Sequence, residues 1–304
     1  RVLNNLGAVY SRQNRHEKAI EYYRQALALA REIKARIAEG NAISNLGQSY
    51  RSLSRLEEAV RSHEQALLIA REVKAKDKEA DALDGLMHDW KARNQSRLSI
   101  FYGKQAVNVY QEIRSGIKGL DRELQQSSIQ SNEGTYRTLA DLLIEQGRLP
   151  EAEQVINLPK QEEYFDFIRR DSSNAPQTNK AHMTPEEQAI EKRFREISDQ
   201  IAQLGTERGT LIDKKTRTQE DDQRLAKIDA DLVVAGNAFQ KFLDGLAIEM
   251  AGNSDADSRT YQLRESQGLM EDLRELGKGT VALYTLIGED KYRIILTTPD
   301  FQKG

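Results

Sequence analysis

The sequence predicts a mainly α-helical protein in which an α-solenoid is followed by an antiparallel coiled-coil hairpin and a C-terminal β-hairpin. The first observation is a residue pattern that returns at a fixed spacing through the first third of the chain, and fixed periods of this size are typical of stacked helical repeats. The second is a pair of segments with apolar residues at alternating steps of three and four, the spacing of coiled coils. The third is a change near the C-terminus to β-branched and aromatic runs, which favour strands.

The repeating unit is 40 residues long, since Leu6, Leu46 and Leu86 occupy equivalent positions. Aromatic and small residues recur at the same spacing: Tyr10, Tyr50 and Trp90; Ala19, Ala59 and Ser99; Ala26, Ala66 and Ala106. Within a unit the apolar residues fall at i, i+3 and i+4 on either side of a break, which in the first unit lies near Asn14. This arrangement predicts two amphipathic helices per unit, joined by a short turn.

The residue types of the first unit resemble those of the tetratricopeptide repeat. That repeat has Leu, Gly, Tyr, Ala, an aromatic residue and Ala in this order, and the chain supplies Leu6, Gly7, Tyr10, Ala19, Tyr23 and Ala26. The second unit has His63 at the second aromatic position, and the third unit departs further. The usual period is about 34 residues, and we assign the additional residues to a longer second helix. The Asn-Leu-Gly sequences that begin at Asn5 and Asn45 are similar to a long-repeat subclass found in cargo and polarity adaptors.

A fourth unit is predicted further along the chain, where Gly147 would end a first helix and Pro150 would begin a second. Irregular spacing between Gly116 and Gly134 predicts an extended helix or an insertion there. An apolar cluster after the fourth unit is expected to cap the array, and it consists of Tyr164, Phe165, Phe167 and Ile168. The solenoid with its cap is therefore expected to occupy residues 1–171, with about four repeats.

Residue composition predicts the domain boundaries that follow the solenoid. Residues 172–184 are rich in Ser, Asn, Thr and Pro, which is typical of a linker. Thr184, Pro185 and Glu187 have the residue types of a helix start with a capping box, so we place the coiled-coil hairpin at 185–250. A connecting helix at 251–276 and the start of a truncated α/β domain at 277–304 complete the division, because two strands alone do not bury a core.

The two arms of the hairpin carry apolar residues along one seam each. The first seam consists of Ile190, Phe194, Ile197, Ile201, Leu204 and Leu211, and the second of Leu225, Ile228, Leu232, Ala235, Phe239, Phe242 and Leu246. A polar break at 214–222 separates the arms and predicts a turn. We expect the hairpin to act as a spacer or to pack back on the solenoid, and the alternative is an arm that forms a homodimer or binds a partner.

Polar residues of the first helix of each unit, facing away from the packing seam, are the candidate binding residues. They are Asn5, Arg12, Asn41, Asn45, Gln48, Arg51, His88, Lys91 and Arg137. Amide side chains both donate and accept hydrogen bonds, so they can bind the backbone of an extended peptide. The resemblance to the long-repeat relatives extends this role to Asn5 and Asn45 only. We expect a protein or peptide partner, or the chain's own C-terminal domain, and the alternative is a solvated face without a ligand.

The composition argues against several classes of function. The chain has 45 Lys and Arg residues against 48 Asp and Glu, a net charge of −3, so no general basic field favours nucleic acid. Cysteine is absent, which excludes disulfides and cysteine nucleophiles in these residues. The four His lack metal-ligand spacing, and no apolar run is long enough to span a membrane. We therefore expect no catalytic residue, no metal and no cofactor, and the repeat composition favours the cytoplasm.

The order of elements resembles that of bacterial TPR–CHAT proteins, in which tetratricopeptide repeats precede a caspase-like peptidase domain. The segments that carry the resemblance are YRTLADLLIEQGRLPEAEQVI at 136–156, EEYFDFIRRD at 162–171 and GTVALYTLIGEDKYRIILTT at 279–298. Pro159 stands where relatives usually have an aliphatic residue, and it is expected to end or kink its helix near Leu158. The resemblance implies a His/Cys dyad outside these residues, so no catalytic residue is assigned. A non-catalytic adaptor with a degenerate C-terminal domain, or an enzyme of another class, are the alternatives.

The repeat register is open to a direct test. Tyr50 fills the aromatic core position of the second unit, so Tyr50→Ala should lower the free energy of unfolding by about 3–5 kcal/mol, as large-to-small core changes do. Urea unfolding followed by circular dichroism measures the difference. A loss below about 1 kcal/mol would mean that Tyr50 lies outside the core and that the register is wrong.

Overall fold

The computed structural model describes residues 1–116, 122–168, 180–251, 264–277, 279–287, 292–300 and 302–303. In these ranges, helices precede a small antiparallel sheet. The helices are α1 (Val2–Arg12), α2 (His16–Glu32), α3 (Arg36–Ser52), α4 (Leu56–Glu72), α5 (Lys76–Ala92), α6 (Ser96–Gly116), α7 (Arg122–Glu145), α8 (Leu149–Ile168), α9 (Pro185–Ile212), α10 (Gln219–Ala251) and α11 (Arg264–Leu276). The strands are β1 (Ala282–Ile287), β2 (Tyr292–Thr297) and β3 (Gln302–Lys303). The predicted fold class is confirmed, and β3 adds a short third strand to the expected hairpin.

The chain divides into two compact units. The first consists of Arg1–Leu98 and Thr184–Gly252, and the second of Ser99–Met183 and Asn253–Gly304. The first unit therefore holds the regular helix pairs together with α9 and α10. The second holds α7, α8, most of α6, α11 and the sheet.

Helices α2 to α5 contain 17 residues each. Each of these helices ends in the same way, at a non-glycine residue with positive φ: Lys34, Ser54, Lys74 and Asn94, with Asn14 ending α1 likewise. After α2, the Ala35 amide donates to the Ala30 carbonyl at 2.8 Å and the Lys34 amide to the Arg31 carbonyl at 3.1 Å, which is the Schellman motif. The unit is thus two equal helices with equal turns, so the expectation that the second helix alone is lengthened is wrong.

Small residues let paired helices approach each other closely. A Cβ on Gly7 would lie 2.5 Å from the Tyr23 ring, and one on Gly47 would lie 2.7 Å from His63. Because such distances are below van der Waals contact, only glycine fits at these positions. Tyr23 is 3% exposed and belongs to a core cluster with Tyr50. Gly7 is therefore a point of close approach between α1 and α2.

The second unit begins with longer helices. Helices α6 and α7 contain 21 and 24 residues, in agreement with the extended helix expected around 116–134. Gly147 has φ +69 and ends α7, as predicted. Helix α8 continues through Pro159 to Ile168. Of the two effects expected of this proline, an end of the helix near Leu158 is therefore wrong, whereas a kink stays a prediction. The buried side chains of Val155 and Leu158 anchor the turn that precedes the proline. The side chains of the predicted cap at 164–168 lie outside the described residues.

Helices α9 and α10 form an antiparallel pair. Ion pairs join the two ends in opposite order, with Arg193 on Glu249 at 3.1 Å and Arg208 on Asp229 at 2.6 Å. Thr184 and Glu187 form the predicted capping box at the start of α9. Most of the predicted seam is buried or half-buried, and Phe194 lies 5.3 Å from Phe239 between ring centroids.

Helix α9 also packs directly on α4. The Arg71 guanidinium lies 4.2 Å from the centre of the Phe194 ring, a cation–π distance. A Cβ on Gly205 would lie 2.6 Å from the Glu72 carbonyl oxygen, so the absence of a side chain there lets α9 approach the end of α4.

The sheet packs its inner face on helices of the second unit. Strand β2 lies between β1 and β3, with Leu286 opposite Arg293 in the β1–β2 register. Arg293 forms ion pairs with Asp141 at 2.6 Å and with Glu145 at 2.7 Å, both on α7. Burial raises the pKa of Tyr284 to about 12, and the neighbouring Glu153 on α8 contributes to the rise. The inner face is therefore fixed by polar as well as apolar contacts.

Two glycines of α9 provide a matched test of its packing on α4. Gly205→Ala should lower the free energy of unfolding by about 1–3 kcal/mol, because the added methyl group meets Glu72 backbone. Gly209 has no neighbour within 4 Å of an added Cβ, so Gly209→Ala should stabilise the helix by up to about 1 kcal/mol. Thermal unfolding of both variants measures the contrast. Equal effects from the two substitutions would contradict the close contact of α9 with α4.

Candidate peptide-binding groove

The first helices of the regular pairs line a depression of about 400 Å³. Its polar lining comes from α1, α3 and α5, and consists of Asn4, Asn41, Ser44, Asn45, Gln48, Lys78, Asp81 and Asp84. Its apolar lining includes Ile37 on α3 and Ile69, Ala70 and Val73 on α4. Because α3 supplies Asn41, Asn45 and Gln48 at steps of four and three, its amide side chains form one row along the groove.

Amide groups connect the first two repeats within this groove. The Asn45 Nδ2 donates to the Asn4 Oδ1 at 3.0 Å. Among the described residues, the Asn41 and Gln48 side chains have no hydrogen-bond partner, so their donors and acceptors face the depression unpaired. Amides in this state can bind a peptide backbone in either direction, because each has both an acceptor and two donors.

The charges of the groove are mixed and largely paired. Lys78 forms an ion pair with Asp81 at 2.9 Å, and Asp84 lies 3.7 Å from the His88 Nε2. Burial lowers the pKa of His88, although the carboxylate of Asp84 acts in the opposite direction. A groove of this kind offers no single strong charge, so a ligand bound there would be recognised chiefly by hydrogen bonds.

Other predicted binding residues lie outside this depression. Asn5 is exposed and is not part of the lining, and Arg12 and Lys91 are exposed in the last turns of α1 and α5. Arg137 belongs to the second unit, where it forms an ion pair with Glu133 at 2.5 Å. The structure therefore brings together Asn41, Asn45 and Gln48, with His88 at the margin through Asp84.

Arg51 takes part in a buried network that the sequence analysis missed. Its Nη1 donates to the Asp89 Oδ1 at 2.9 Å and to the Gly85 carbonyl at 3.2 Å. The other oxygen of Asp89 lies 2.5 Å from the His63 Nδ1, and both His63 and Asp89 are fully buried. Arg51 thus neutralises a buried carboxylate and is not a free groove residue. The signal in the sequence was a histidine at an aromatic core position, His63, together with an acidic residue in the first helix of the next repeat, Asp89.

A second cavity of about 690 Å³ lies between the repeats and α10. Its lining includes Arg31, Arg36, Arg61, Glu64, Glu72, Arg208 and Gln240. Glu64 is 4% exposed and accepts a hydrogen bond from the Gln240 Nε2 at 2.8 Å. Burial raises the pKa of Glu64 to about 7, and the Asp244 carboxylate adds to the rise. The charge of Glu64 is therefore sensitive to pH near neutrality.

The described residues show no sign of metal or membrane chemistry. Within the described ranges, no group of three or more His, Asp or Glu is placed to hold a metal ion. No described helix is both long enough and apolar enough to cross a bilayer.

The paired helices and their regular turns define an α-solenoid of helical repeats. Comparison with protein families is consistent with this class, since family models described as tetratricopeptide repeat match residues 1–32 and residues 40–73. Two tetratricopeptide repeats are therefore present, and they coincide with the first two of the predicted units. No curated protein and no solved structure matches the chain.

Glu64 makes stability depend on pH. Its pKa is about 7 in the folded protein against 4.5 for a free glutamate, so the folded state retains the proton over this interval. The contribution of this protonated carboxyl group to the free energy of unfolding is complete below about pH 4.5 and is lost as the pH rises through about 7. The total change is of the order of 3 kcal/mol. Urea unfolding at about pH 5 and about pH 8 should show this loss in the unaltered chain and not in Glu64→Gln. The exposed Glu57→Gln on the same helix should leave the loss intact; a pH dependence that survives in Glu64→Gln would exclude Glu64 as its source.

Proposed function

We propose that this chain is a protein-interaction scaffold that holds an extended peptide in the groove formed by α1, α3 and α5. The observation that carries the proposal is the row of Asn41, Asn45 and Gln48, of which the first and last have unpaired side chains among the described residues. Tetratricopeptide repeats generally bind protein partners, and the two matched repeats contribute most of the groove lining.

The proposed ligand is a segment with polar backbone contacts and a modest apolar anchor. Amide side chains would bind its carbonyl and N–H groups whatever its sequence, and the apolar floor around Ile69 and Val73 would take one side chain. The mixed charges of Lys78, Asp81 and Asp84 do not favour a strongly acidic or strongly basic peptide. Asn5, Arg12, Lys91 and Arg137 remain candidate contacts for a larger partner that extends past the groove.

At a finer level, we infer that the chain is the sensor and scaffold part of a bacterial, cytoplasmic TPR–CHAT peptidase. The support is the order of elements, together with the sheet, whose outer face is apolar and exposed: Leu283 is 63% exposed, Tyr292 80% and Ile294 53%. An apolar sheet face of this kind is suited to a further layer of an α/β domain. The groove would then bind a partner, or a segment of that domain, and influence the peptidase.

The helical pair offers a surface for self-association. Helix α9 is covered by α4, whereas Val233 and Val234 on α10 are 64% and 68% exposed. Adjacent exposed apolar residues on a long helix favour contact with another protein, so we propose α10 as the surface of any homodimer.

The groove proposal is tested with peptides selected on the full chain from a random-peptide display library. Asn41→Ala combined with Asn45→Ala should weaken binding of a selected peptide by about tenfold, because two hydrogen bonds are lost. Fluorescence anisotropy gives the dissociation constants, and circular dichroism checks that the helices are intact. Asn5→Ala is the matched control, since Asn5 lies outside the lining, and it should change affinity little. Unchanged affinity in the double variant would rule out the groove.

The finer proposal is tested on the coding sequence downstream of Gly304. A TPR–CHAT peptidase requires a His at the end of a strand and a later Cys, because the thiol attacks the peptide carbonyl while the His acts as base. A continuation that keeps the sheet but lacks this pair would leave the non-catalytic adaptor as the function.

A further inference from the structure

A short extended segment of the second unit is held by side-chain amides from two helices. The segment is Lys180–Met183, which directly precedes the start of α9 in the sequence. Asn108 on α6 and Gln154 on α8 supply the amides. The sequence analysis placed these residues in a linker, and nothing in their composition predicted the contact.

The two amides bind both edges of the segment. The Asn108 Oδ1 accepts from the Ala181 amide at 2.6 Å and its Nδ2 donates to the Ala181 carbonyl at 3.4 Å. The Gln154 Oε1 accepts from the His182 amide at 2.9 Å and its Nε2 donates to the Lys180 carbonyl at 3.2 Å. Four consecutive backbone groups are thereby satisfied, alternately on either side, which is the hydrogen-bond pattern of a strand between two neighbours.

The side chains of the segment add a pattern that could distinguish one peptide from another. Ala181 and Met183 point to the same side and are 3% and 5% exposed, so they fill a small and a larger apolar site. Lys180 reaches the Glu112 Oε1 at 2.8 Å, outside the buried part. His182 lies between the two buried residues and is half-buried. The Nε2 atom of His182 is itself buried. The pattern that occupies the site is therefore a basic residue, a small residue, a half-buried residue and a long apolar residue.

We propose that Asn108, Gln154 and Glu112 form a second peptide-binding site, and that Lys180–Met183 occupies it as an internal competitor for a partner peptide of the same pattern. The site satisfies four consecutive backbone groups of an extended peptide and buries two of its side chains. In peptide receptors, hydrogen bonds to the peptide backbone typically provide affinity, and pockets for alternate side chains provide specificity. This site is independent of the groove in the first unit and does not rest on the function proposed for it.

Covalent attachment sets how strongly the internal segment competes. A tethered segment acts at an effective concentration of the order of millimolar. For a free peptide whose dissociation constant for the empty site is about 0.1 mM, the apparent dissociation constant would therefore be about tenfold higher when Lys180–Met183 occupies the site. Ala181→Trp should open the site in the full chain, because a large side chain cannot enter the space that holds Ala181.

The test measures binding of the acetylated and amidated peptide Asn-Lys-Ala-His-Met-Thr, fluorescently labelled, to the full chain. We expect about tenfold tighter binding to Ala181→Trp than to the unaltered chain. Adding Asn108→Leu, which keeps the size of the side chain and removes its hydrogen bonds, should abolish the binding. The exposed Gln203→Leu on α9 is the control for an amide removed elsewhere, and circular dichroism verifies the fold of each variant.

Further measurements distinguish the proposal from its alternatives. A peptide with Trp in place of Ala should not bind, and equal binding of that peptide would show that the site is not selective. Equal affinity for the unaltered chain and for Ala181→Trp, or no binding to either, would make Lys180–Met183 a structural strap only. A doubling of mass in light scattering that depends on the Lys180–Met183 sequence would instead identify a second copy of this chain as the occupant.

Glu112→Gln should weaken binding of the labelled peptide, because the ion pair with its Lys is lost. The same substitution should not weaken binding of a peptide that has norleucine in place of this Lys.

Discussion

The regular part of this fold depends on one backbone conformation, the left-handed residue that ends each helix. At this residue the chain satisfies two terminal carbonyl groups and reverses direction within three residues. Glycine adopts this conformation most easily, yet Asn, Lys and Ser occupy it in the first five turns, and a glycine, Gly147, occupies it after α7. Each non-glycine case costs about 1–2 kcal/mol, which the packing between helices must exceed. The contacts between paired helices, which include the stacking of Arg15 on Tyr10 and of Arg55 on Tyr50 beside the turns, must offset this cost.

Those contacts follow a second rule, in which a small residue on one helix receives a large ring from the next. Gly7 receives Tyr23, whereas Gly47 and Gly85 lie on either side of the His63 ring. The change from tyrosine to histidine introduces a polar ring into a dry interior, where an unpaired polar group is costly. Asp89 pairs with the His63 Nδ1 and Arg51 pairs with Asp89, whereas the buried His63 Nε2 has no hydrogen-bond partner among the described residues. The departure of the second repeat at His63 is therefore matched by a residue of the third repeat, Asp89, which contacts it.

Much of the fold could be predicted from the sequence because its determinants are local. The apolar spacing within each helix, the capping box at Thr184 and the glycine turn at Gly147 each depend on residues within a few positions of one another, and the same local pattern returns every 40 residues. Equal helix lengths were missed, since no residue type marks the turns at Lys34 and Lys74. The groove was predicted in part: Asn41, Asn45 and Gln48 share a helix face, but the engagement of Arg51 by Asp89 depends on a residue 38 positions away. Recognition of Lys180–Met183 by Asn108 and Gln154 is similarly long-range and leaves no pattern in the segment itself.

Arg293 has a consequence for how the sheet can assemble. Successive residues of a strand point to opposite faces, so a shift of β2 by one residue would exchange its inner and outer side chains. Both faces of this strand contain apolar residues, with Ile295 inside and Ile294 outside, and apolar patterning alone therefore distinguishes the two registers weakly. Arg293 breaks this near-symmetry, because only one register directs its guanidinium to Asp141 and Glu145 on α7. The ion pairs of this single side chain thus select the register of β2, and with it the face of the sheet that remains exposed.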